Sequence, residues 1–168
     1  MRRSCRIFLV ISLLWATALN AQALKASPAA TDMVDIEADR LDVHTGKGTA
    51  TFKGNVRAAR TGVTVRADSI TLTYDQNTRK VGLLVAEGAV SIRWKDREAT
   101  CNRVEYRLAT EVMVLTGNVL ITRGRERLSG QKVTLDLKND TQVVEGGSGR
   151  VRVRVDASEG TGIMQWGR

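Results

Sequence analysis

The stretch at residues 69–75, SITLTYD, determines the fold class. Apolar and polar residues alternate through it, with Ile70, Leu72 and Tyr74 as the apolar row. A period of two places successive side chains on opposite faces of a β-strand. The stretch VSIRWK at residues 90–95 has the same alternation. Because comparable stretches follow one another along the chain and no segment has a helical period, the sequence predicts an all-β protein.

Two short signatures recur between the alternating stretches. A glycine followed two residues later by valine occurs in Gly54-Asn55-Val56, Gly88-Ala89-Val90 and Gly117-Asn118-Val119, with Gly149-Arg150-Val151 as a degenerate fourth copy. A small residue followed by a polar one occurs in Ala38-Asp39, Ala67-Asp68, Cys101-Asn102 and Gly130-Gln131. The two series interleave, which indicates stacked pairs of strands that bury a common apolar face. The glycines are interpreted either as bends or bulges or as simple turn residues.

Composition narrows the class of protein further. The chain has 168 residues, a formal charge of +8 and a single proline, Pro28, ahead of the alternating body. This length fits one folded domain. The basic charge raises nucleic acid, anionic membranes or acidic ligands as partners.

The first residues are interpreted as a targeting segment. Arg2, Arg3 and Arg6 precede an apolar run at residues 7–19, which is followed by Ala21-Gln22-Ala23. This order predicts a cleaved signal peptide over residues 1–23 and a flexible lead-in over residues 24–33, with an uncleaved membrane anchor as the alternative. Loss of three arginines lowers the formal charge to +5 and leaves Cys101 as the only cysteine, so no internal disulfide is expected.

The ordered motifs resemble those of the OstA-like periplasmic family. The resemblance rests on residues 39–42 (DRLD), 48–56 (GTATFKGNV), 65–68 (VRAD), 114–119 (VLTGNV) and 128–130 (LSG). It implies an open, twisted antiparallel β-jelly-roll over residues 34–155, with an internal apolar groove and a tail at residues 156–168. It also implies a periplasmic protein that is not an enzyme and needs no cofactor.

The resemblance further implies lipopolysaccharide as the ligand, with its acyl chains shielded in the groove. Copies would join head to tail through edge strands, between an LptC-like inner-membrane protein and an LptD-like outer-membrane protein. Residues 34–38 and 151–155 are the predicted docking edges. The lining predicted from the alternation consists of Ile36, Phe52, Val56, Val65, Ile70, Leu72, Tyr74, Ile92, Trp94, Tyr106 and Val114. The alternative is that these residues fill an ordinary sandwich core.

Arginines are the second group of candidate site residues. We expect phosphorylated lipid head groups to contact Arg123, Arg125, Arg127, Arg150, Arg152 and Arg154, because guanidinium groups match phosphate oxygens. The alternative is a solvated outer face whose charges protect an edge strand from stray pairing.

Other classes of function remain as alternatives. His44 is the only histidine and lies beside a turn, and Cys101 has no histidine near it, so catalysis is not expected. An LptC-like membrane-tethered transport component would share the fold. An exported basic β-protein that binds nucleic acid or polysaccharide is a rival of another class. The export signal and the lack of aromatic residues among the basic ones argue against nucleic acid.

Overall fold

A computed structural model describes residues 33–158. The predicted signal peptide, most of the lead-in and the end of the tail lie outside these residues. The strands are β1 (Asp35–Glu37), β2 (Arg40–His44), β3 (Thr49–Arg60), β4 (Val63–Tyr74), β5 (Val81–Trp94), β6 (Arg97–Arg107), β7 (Val112–Arg123), β8 (Glu126–Asp136), β9 (Thr141–Glu145) and β10 (Arg152–Arg154), with a 3-10 turn at Thr45–Lys47 between β2 and β3. In this part of the chain no helix is long and apolar enough to cross a membrane.

All ten strands form one antiparallel sheet. Strands β3 to β8 follow one another in chain order, and each is hydrogen-bonded to the next. β1 and β2 pair with opposite halves of β3, whereas β9 and β10 pair with opposite halves of β8. The sheet is therefore open, with one edge made by β1 and β2 and the other by β9 and β10. The predicted all-β, open antiparallel architecture is confirmed.

Tight turns join the long strands where the sequence has turn residues. The side chain of Asp75 accepts hydrogen bonds from the backbone N–H of Thr78 at 2.7 Å and of Asn77 at 3.0 Å. Asp136 does the same for the N–H groups of Asn139 and Lys138. These Asx-type turns satisfy backbone donors that the ladder leaves open. The hydrogen bonds from Thr78, and then from Asn77, hold the pKa of the Asp75 carboxyl below its usual value.

Every long strand is interrupted at the same level of the sheet. The ladder register shifts between Lys53 and Val56, and at corresponding places in the next four strand pairs. Gly54 and Asn55 have φ angles of 79° and 48°. Gly88-Ala89 and Gly117-Asn118 repeat this pair of left-handed residues. The recurring glycine signature thus marks a corner that runs across the sheet, and its interpretation as a bulge is confirmed.

The second signature lies against the first across neighbouring strands. Asn55 Nδ2 donates a hydrogen bond of 2.8 Å to Asp39 Oδ2. The Asp39 side chain occupies the space where a Cβ of residue 54 would lie. At the third corner, a Cβ on Gly117 would lie 2.7 Å from the Asn102 amide nitrogen. Glycine is therefore required by steric contact at these corners as well as by its positive φ.

The fourth corner is longer than the others. Strand β9 ends at Glu145, and the N–H of Gly149 donates to the carbonyl of Gly146 at 3.0 Å. β10 then places Val153 opposite Leu128. Val65 and Ile92 form the equivalent pair at the second corner, where Ile92 is the fourth residue after Gly88. Gly149 therefore keeps the register position of a corner glycine for β10. The positive φ of 63° and the close approach to Gln131 belong instead to Gly147, so the predicted fourth copy matches the other corners in register only.

Candidate functional site

Direct cross-strand pairing assigns side chains to the two faces of the sheet. Phe52 lies opposite Ile70, and Ile70 lies opposite Ala86. Directly paired residues point to the same face. The row continues through Val104, Leu115, Val133 and Val144. Because Ile70, Ala86, Leu115 and Val133 are all 0% exposed, this is the inner face.

A second apolar row crosses the other half of the sheet, beyond the corner. It runs through Ile36, Ala58, Val65, Ile92, Ala99, Ile121, Leu128 and Val153. The inner face is thus apolar from β1 to β10. Such a surface binds apolar groups without directional contacts, which makes it the candidate functional site.

Most of the predicted lining residues lie on this face. Val56, Ile70 and Ile92 are buried. Ile36, Phe52, Val65 and Leu72 are partly buried and pack against the buried cluster. Tyr74, Trp94 and Tyr106 are half-buried near strand ends. The structure therefore brings these residues together, and it packs the central ones as a core.

Val114 is the exception, and its predicted place in the lining is wrong. It pairs with Glu105 on one side and Thr134 on the other, in a row that belongs to the outer face. Its neighbour Leu115 takes the inner position and is 0% exposed. The segment at residues 112–115, VMVL, is apolar throughout, so alternation within it does not distinguish the two faces.

The inner face ends in a charged rim that the sequence did not predict. The strand register aligns Trp94, Arg97, Arg123 and Glu126 across β5 to β8. The Arg97 guanidinium lies 5.0 Å from the Trp94 ring centroid, in a cation–π contact. Arg123 Nε lies 2.6 Å from Asp96 Oδ2, and Arg123 also contacts Glu126 at 3.6 Å. The rim is recognised only from the pairing of neighbouring strands. Alternation within a single strand does not specify that pairing.

The surroundings in the rim lower the pKa values of Arg97 and Asp96 and raise the pKa of Arg123. Burial lowers the pKa of Arg97, whose side chain is only 12% exposed. The hydrogen bond to Asp96 raises the pKa of Arg123, and the same bond holds the pKa of Asp96 below its usual value. Both arginines remain charged at neutral pH, since their ordinary pKa lies far above it.

The arginines predicted to contact head groups do not form one cluster. Arg123 belongs to the inner rim, so the alternative of a solvated outer face does not hold for this residue. Arg125 lies in the turn between β7 and β8 and forms an ion pair with Asp156. Arg127 is exposed on the outer face, directly opposite Arg154. Arg150 and Arg152 are exposed at the fourth corner and on β10.

A polar surface cavity of about 500 Å³ lies at the fourth corner. Its walls include Gly130, Gln131, Ser148, Arg150 and Arg152. Backbone groups and polar side chains dominate this lining, so the cavity does not suit an acyl chain.

Cys101 is a buried part of the inner face. Its thiol lies 3.5 Å from the carbonyl oxygen of Arg103, and burial raises its pKa to about 11. A thiol with this pKa is not a nucleophile at neutral pH. Among residues 33–158, no group of histidine, cysteine, aspartate and glutamate side chains could hold a metal ion.

Both predicted docking segments lie at edges of the sheet. Among the described strands, β1 pairs only with β3 and β10 only with β8. Apolar side chains remain exposed at both edges: Val34, Leu41 and Val43 at one, Val151, Val153 and Val155 at the other. Leu41, Val43 and Val153 lie in inner-face rows, so the apolar face stays open to solvent at its two ends.

The fold and this face define an open antiparallel β-jelly-roll with an apolar interior, and comparisons with known proteins agree. The family model described as LptA/(LptD N-terminal domain) LPS transport protein matches residues 35–141. The chain belongs to this family. Among solved structures, 21 chains match, and the comparison with curated sequences gave no significant match.

One of these structures is a crystal structure of LptH from Pseudomonas aeruginosa. Its title describes LptH as the LptA homologous periplasmic component of the conserved lipopolysaccharide transport device. The two chains are 15% identical, with a TM-score of 0.65. The match covers 76% of this chain and 97% of LptH. At this identity the likeness demonstrates a shared fold.

Proposed function

We propose that this protein is a periplasmic bridge component that carries lipopolysaccharide from the inner to the outer membrane. The observation that carries this proposal is the inner face, which is apolar from one sheet edge to the other. Acyl chains would lie along this face while the glycan remains in water. Membership in a family of lipopolysaccharide transport proteins supports the choice of ligand.

The hydrophobic effect supplies the binding energy. Burial of apolar surface is worth about 0.8 kcal/mol per methylene group, so several acyl chains gain a large free energy on leaving water. The aliphatic lining makes no directional contacts. It therefore suits acyl chains of different lengths and numbers.

The packed centre of the sheet constrains how the lipid enters. Ile70 and Leu115 are fully buried by neighbouring side chains. Leu41 and Val43, on the same face at one edge, are 51% and 54% exposed. We therefore place entry at the sheet edges, where acyl chains contact exposed inner-face residues first, and the two halves of the sheet then separate around them.

Phosphorylated head groups lie beside the charged rim in this proposal. Arg123 and Arg125 follow one another across the turn between β7 and β8, next to the end of the apolar rows. Since ion pairs with exposed arginines weaken as salt increases, lipopolysaccharide capture should fall between low and high ionic strength. Capture that does not change with salt would overturn this part of the proposal.

The bridge itself requires contacts at the two edges. An unpaired strand adds a partner strand through its backbone donors and acceptors. We propose that the edges at residues 34–38 and 151–155 join copies head to tail, and that the terminal copies meet an LptC-like and an LptD-like protein. A head-to-tail contact does not close on itself and therefore extends into a chain of copies.

Photocrosslinking in cells tests the lipid site. A photoreactive residue at Met113 or Phe52, both half-buried on the inner face, should crosslink lipopolysaccharide. The matched control is Val114, which is also half-buried but lies on the outer face. Equal labelling at Met113 and Val114, or labelling at Val114 alone, would contradict the proposal.

A further inference from the structure

The outer rows of the two sheet edges carry complementary charges. Asp35 on β1 has no ion-pair partner among residues 33–158, and neither do Arg152 and Arg154 on β10. Arg154 lies directly opposite Arg127. Like charges in this position are destabilising. The β1 edge therefore presents one carboxylate without an ion-pair partner among the described residues. The β10 edge presents two guanidinium groups without one.

The corners supply a rule for the register of neighbouring strands. The corner polar residues are the polar members of the second signature, namely Asp39, Asp68, Asn102 and Gln131. The second residue after a corner glycine pairs with the residue that comes just before the corner polar residue of the next strand. Val56 pairs with Ala67, Val90 with Cys101 and Val119 with Gly130. The β3–β4, β5–β6 and β7–β8 junctions thus share one register, and they alternate with the junctions in which the corner contacts lie.

The same rule can be applied to a junction between two copies. With Gly149 at the register position of a corner glycine on β10 and Asp39 as the corner polar residue beside β1, Val151 lies opposite Ala38 of the second copy. Two residues further along, Val153 lies opposite Ile36, so the apolar inner row continues from one copy to the next. Arg152 then lies opposite Glu37, and Arg154 opposite Asp35.

We propose that β10 of one copy pairs with β1 of a second copy in this antiparallel register, with Arg152 opposite Glu37 and Arg154 opposite Asp35. The inference rests on the head-to-tail assembly proposed above and deepens it, since it names the residues that meet. In this junction Glu37 lies between Arg57 of its own chain, at 3.6 Å, and Arg152 of the other. Asp35 places a negative charge beside the Arg127 and Arg154 pair.

Ion pairs within the chain occupy equivalent positions. Arg93 is the fifth residue after its corner glycine and pairs with Glu98 at 3.6 Å. Arg154 and Asp35 have the same offsets from Gly149 and Asp39. On the other side of the corner, Glu87 pairs with Arg103.

The junction has a counterpart of that second pair. Glu145 pairs with Lys132, the residue after Gln131, just as Glu87 pairs with Ser69, the residue after Asp68. Arg40 follows Asp39 as Arg103 follows Asn102. The Glu87–Arg103 offsets therefore place Glu145 opposite Arg40 of the second copy. The proposed junction reproduces charge pairs that the sheet already contains.

Charge reversal on separate copies tests the register. The variant D35R/E37R has two basic edges, and R152E/R154E has two acidic edges. Each variant alone should self-associate at least about tenfold more weakly than the wild type, because like charges face each other at every junction. An equimolar mixture should recover wild-type association, since each variant edge then meets its opposite. R79E/K80E, which reverses two exposed basic residues in the turn between β4 and β5, is the matched control and should associate as the wild type does.

Analytical ultracentrifugation of the full chain over a range of concentrations gives the measurement. Wild-type association that persists in each reversed variant alone, or that the mixture fails to recover, would overturn the register while leaving head-to-tail assembly intact. A wild-type chain that stays monomeric at all concentrations would overturn head-to-tail assembly and the register with it. Circular dichroism of each variant separates lost association from lost folding.

Disulfide crosslinking reads the register directly. A disulfide requires Cβ atoms about 4 Å apart, a distance that directly opposite residues approach and diagonal neighbours at about 7–8 Å do not. In a C5S background, I36C mixed with V153C should form a dimer on mild oxidation. V34C mixed with V153C is offset by two residues and should not. Dimer formation by V34C instead would shift the register and overturn the proposal.

Discussion

The carboxylate of Asp39 lies against Gly54 on the neighbouring strand, in the space that any larger residue would fill. Asn55, which follows the glycine, donates a hydrogen bond to the same carboxylate at 2.8 Å. A backbone corner on one strand is thus held by a side chain from the next. The arrangement recurs across the sheet with Asp68 over Gly88 and Asn102 over Gly117.

Replacement of Gly54 should therefore destabilise the fold more than replacement of a glycine that has a positive φ but no neighbouring atom near its Cβ position. Gly62 has a φ of 75°, and a Cβ at this position would meet no other atom within 4 Å. We expect G62A to reduce the free energy of unfolding by about 1 kcal/mol, and G54A by about 2 kcal/mol or more. Urea unfolding of both variants makes the comparison. Equal losses would show that the contact with Asp39 does not matter.

The assignment of faces on β7 predicts a large difference between adjacent residues. L115A removes a fully buried side chain and should reduce the free energy of unfolding by about 2–5 kcal/mol. V114A removes a half-exposed side chain on the outer face and should reduce it by about 1 kcal/mol or less. Thermal or urea unfolding measures both. If V114A proved the more damaging change, the faces of β7 would have to be exchanged.

The contact between Asp96 and Arg123 predicts that the stability of the fold depends on pH. The hydrogen bond from Arg123 depresses the folded-state pKa of Asp96 below its ordinary value of 3.8. A depressed pKa stabilises the folded state above the unfolded-state pKa, and this contribution disappears as the pH falls through the folded-state pKa. D96N should therefore be less stable than the wild type at pH 6, and the difference should shrink towards pH 2.

Urea unfolding at the two pH values gives this difference. The control is D140N, at an exposed turn residue for which no ion pair occurs among the described residues. A D96N deficit that stays constant down to pH 2 would contradict the ionic origin of the effect.

Cys101 should be unreactive in the folded protein. Burial raises its pKa from 9.0 to about 11. At pH 8 this reduces the thiolate fraction by roughly a hundredfold, and burial also blocks access. In a C5S background, Ellman's reagent should label Cys101 only after denaturant is added. Rapid labelling without denaturant would show that the inner face opens readily around β6.

The strand pattern and the corners were predictable because their signals are local. Alternation in residues 69–75 reports a strand with one buried face wherever that strand lies. The glycine signatures correspond to backbone geometry that few other residues adopt. For the same reason, Ile70, Ile92 and Phe52 were placed on the inner face correctly.

The charged rim and the face of Val114 were not predictable in the same way. Arg97 and Arg123 are distant in sequence, and they become neighbours only when β6 pairs with β7. In an apolar run such as residues 112–115, the alternation fits burial of residues 112 and 114 as well as burial of residues 113 and 115. Packing against both neighbouring strands decides between them.

The sequence by itself determined that this protein is a stack of β-hairpins, where its corners lie and which family it resembles, because periodicity and backbone permissiveness are properties of short segments. Only the tertiary structure decided which side chains face inward and which charges meet. Those relationships depend on the register between strands, which is fixed only when each strand pairs with both of its neighbours. The same physics leaves Asp35 at one edge and Arg154 at the other, where a second copy can pair them.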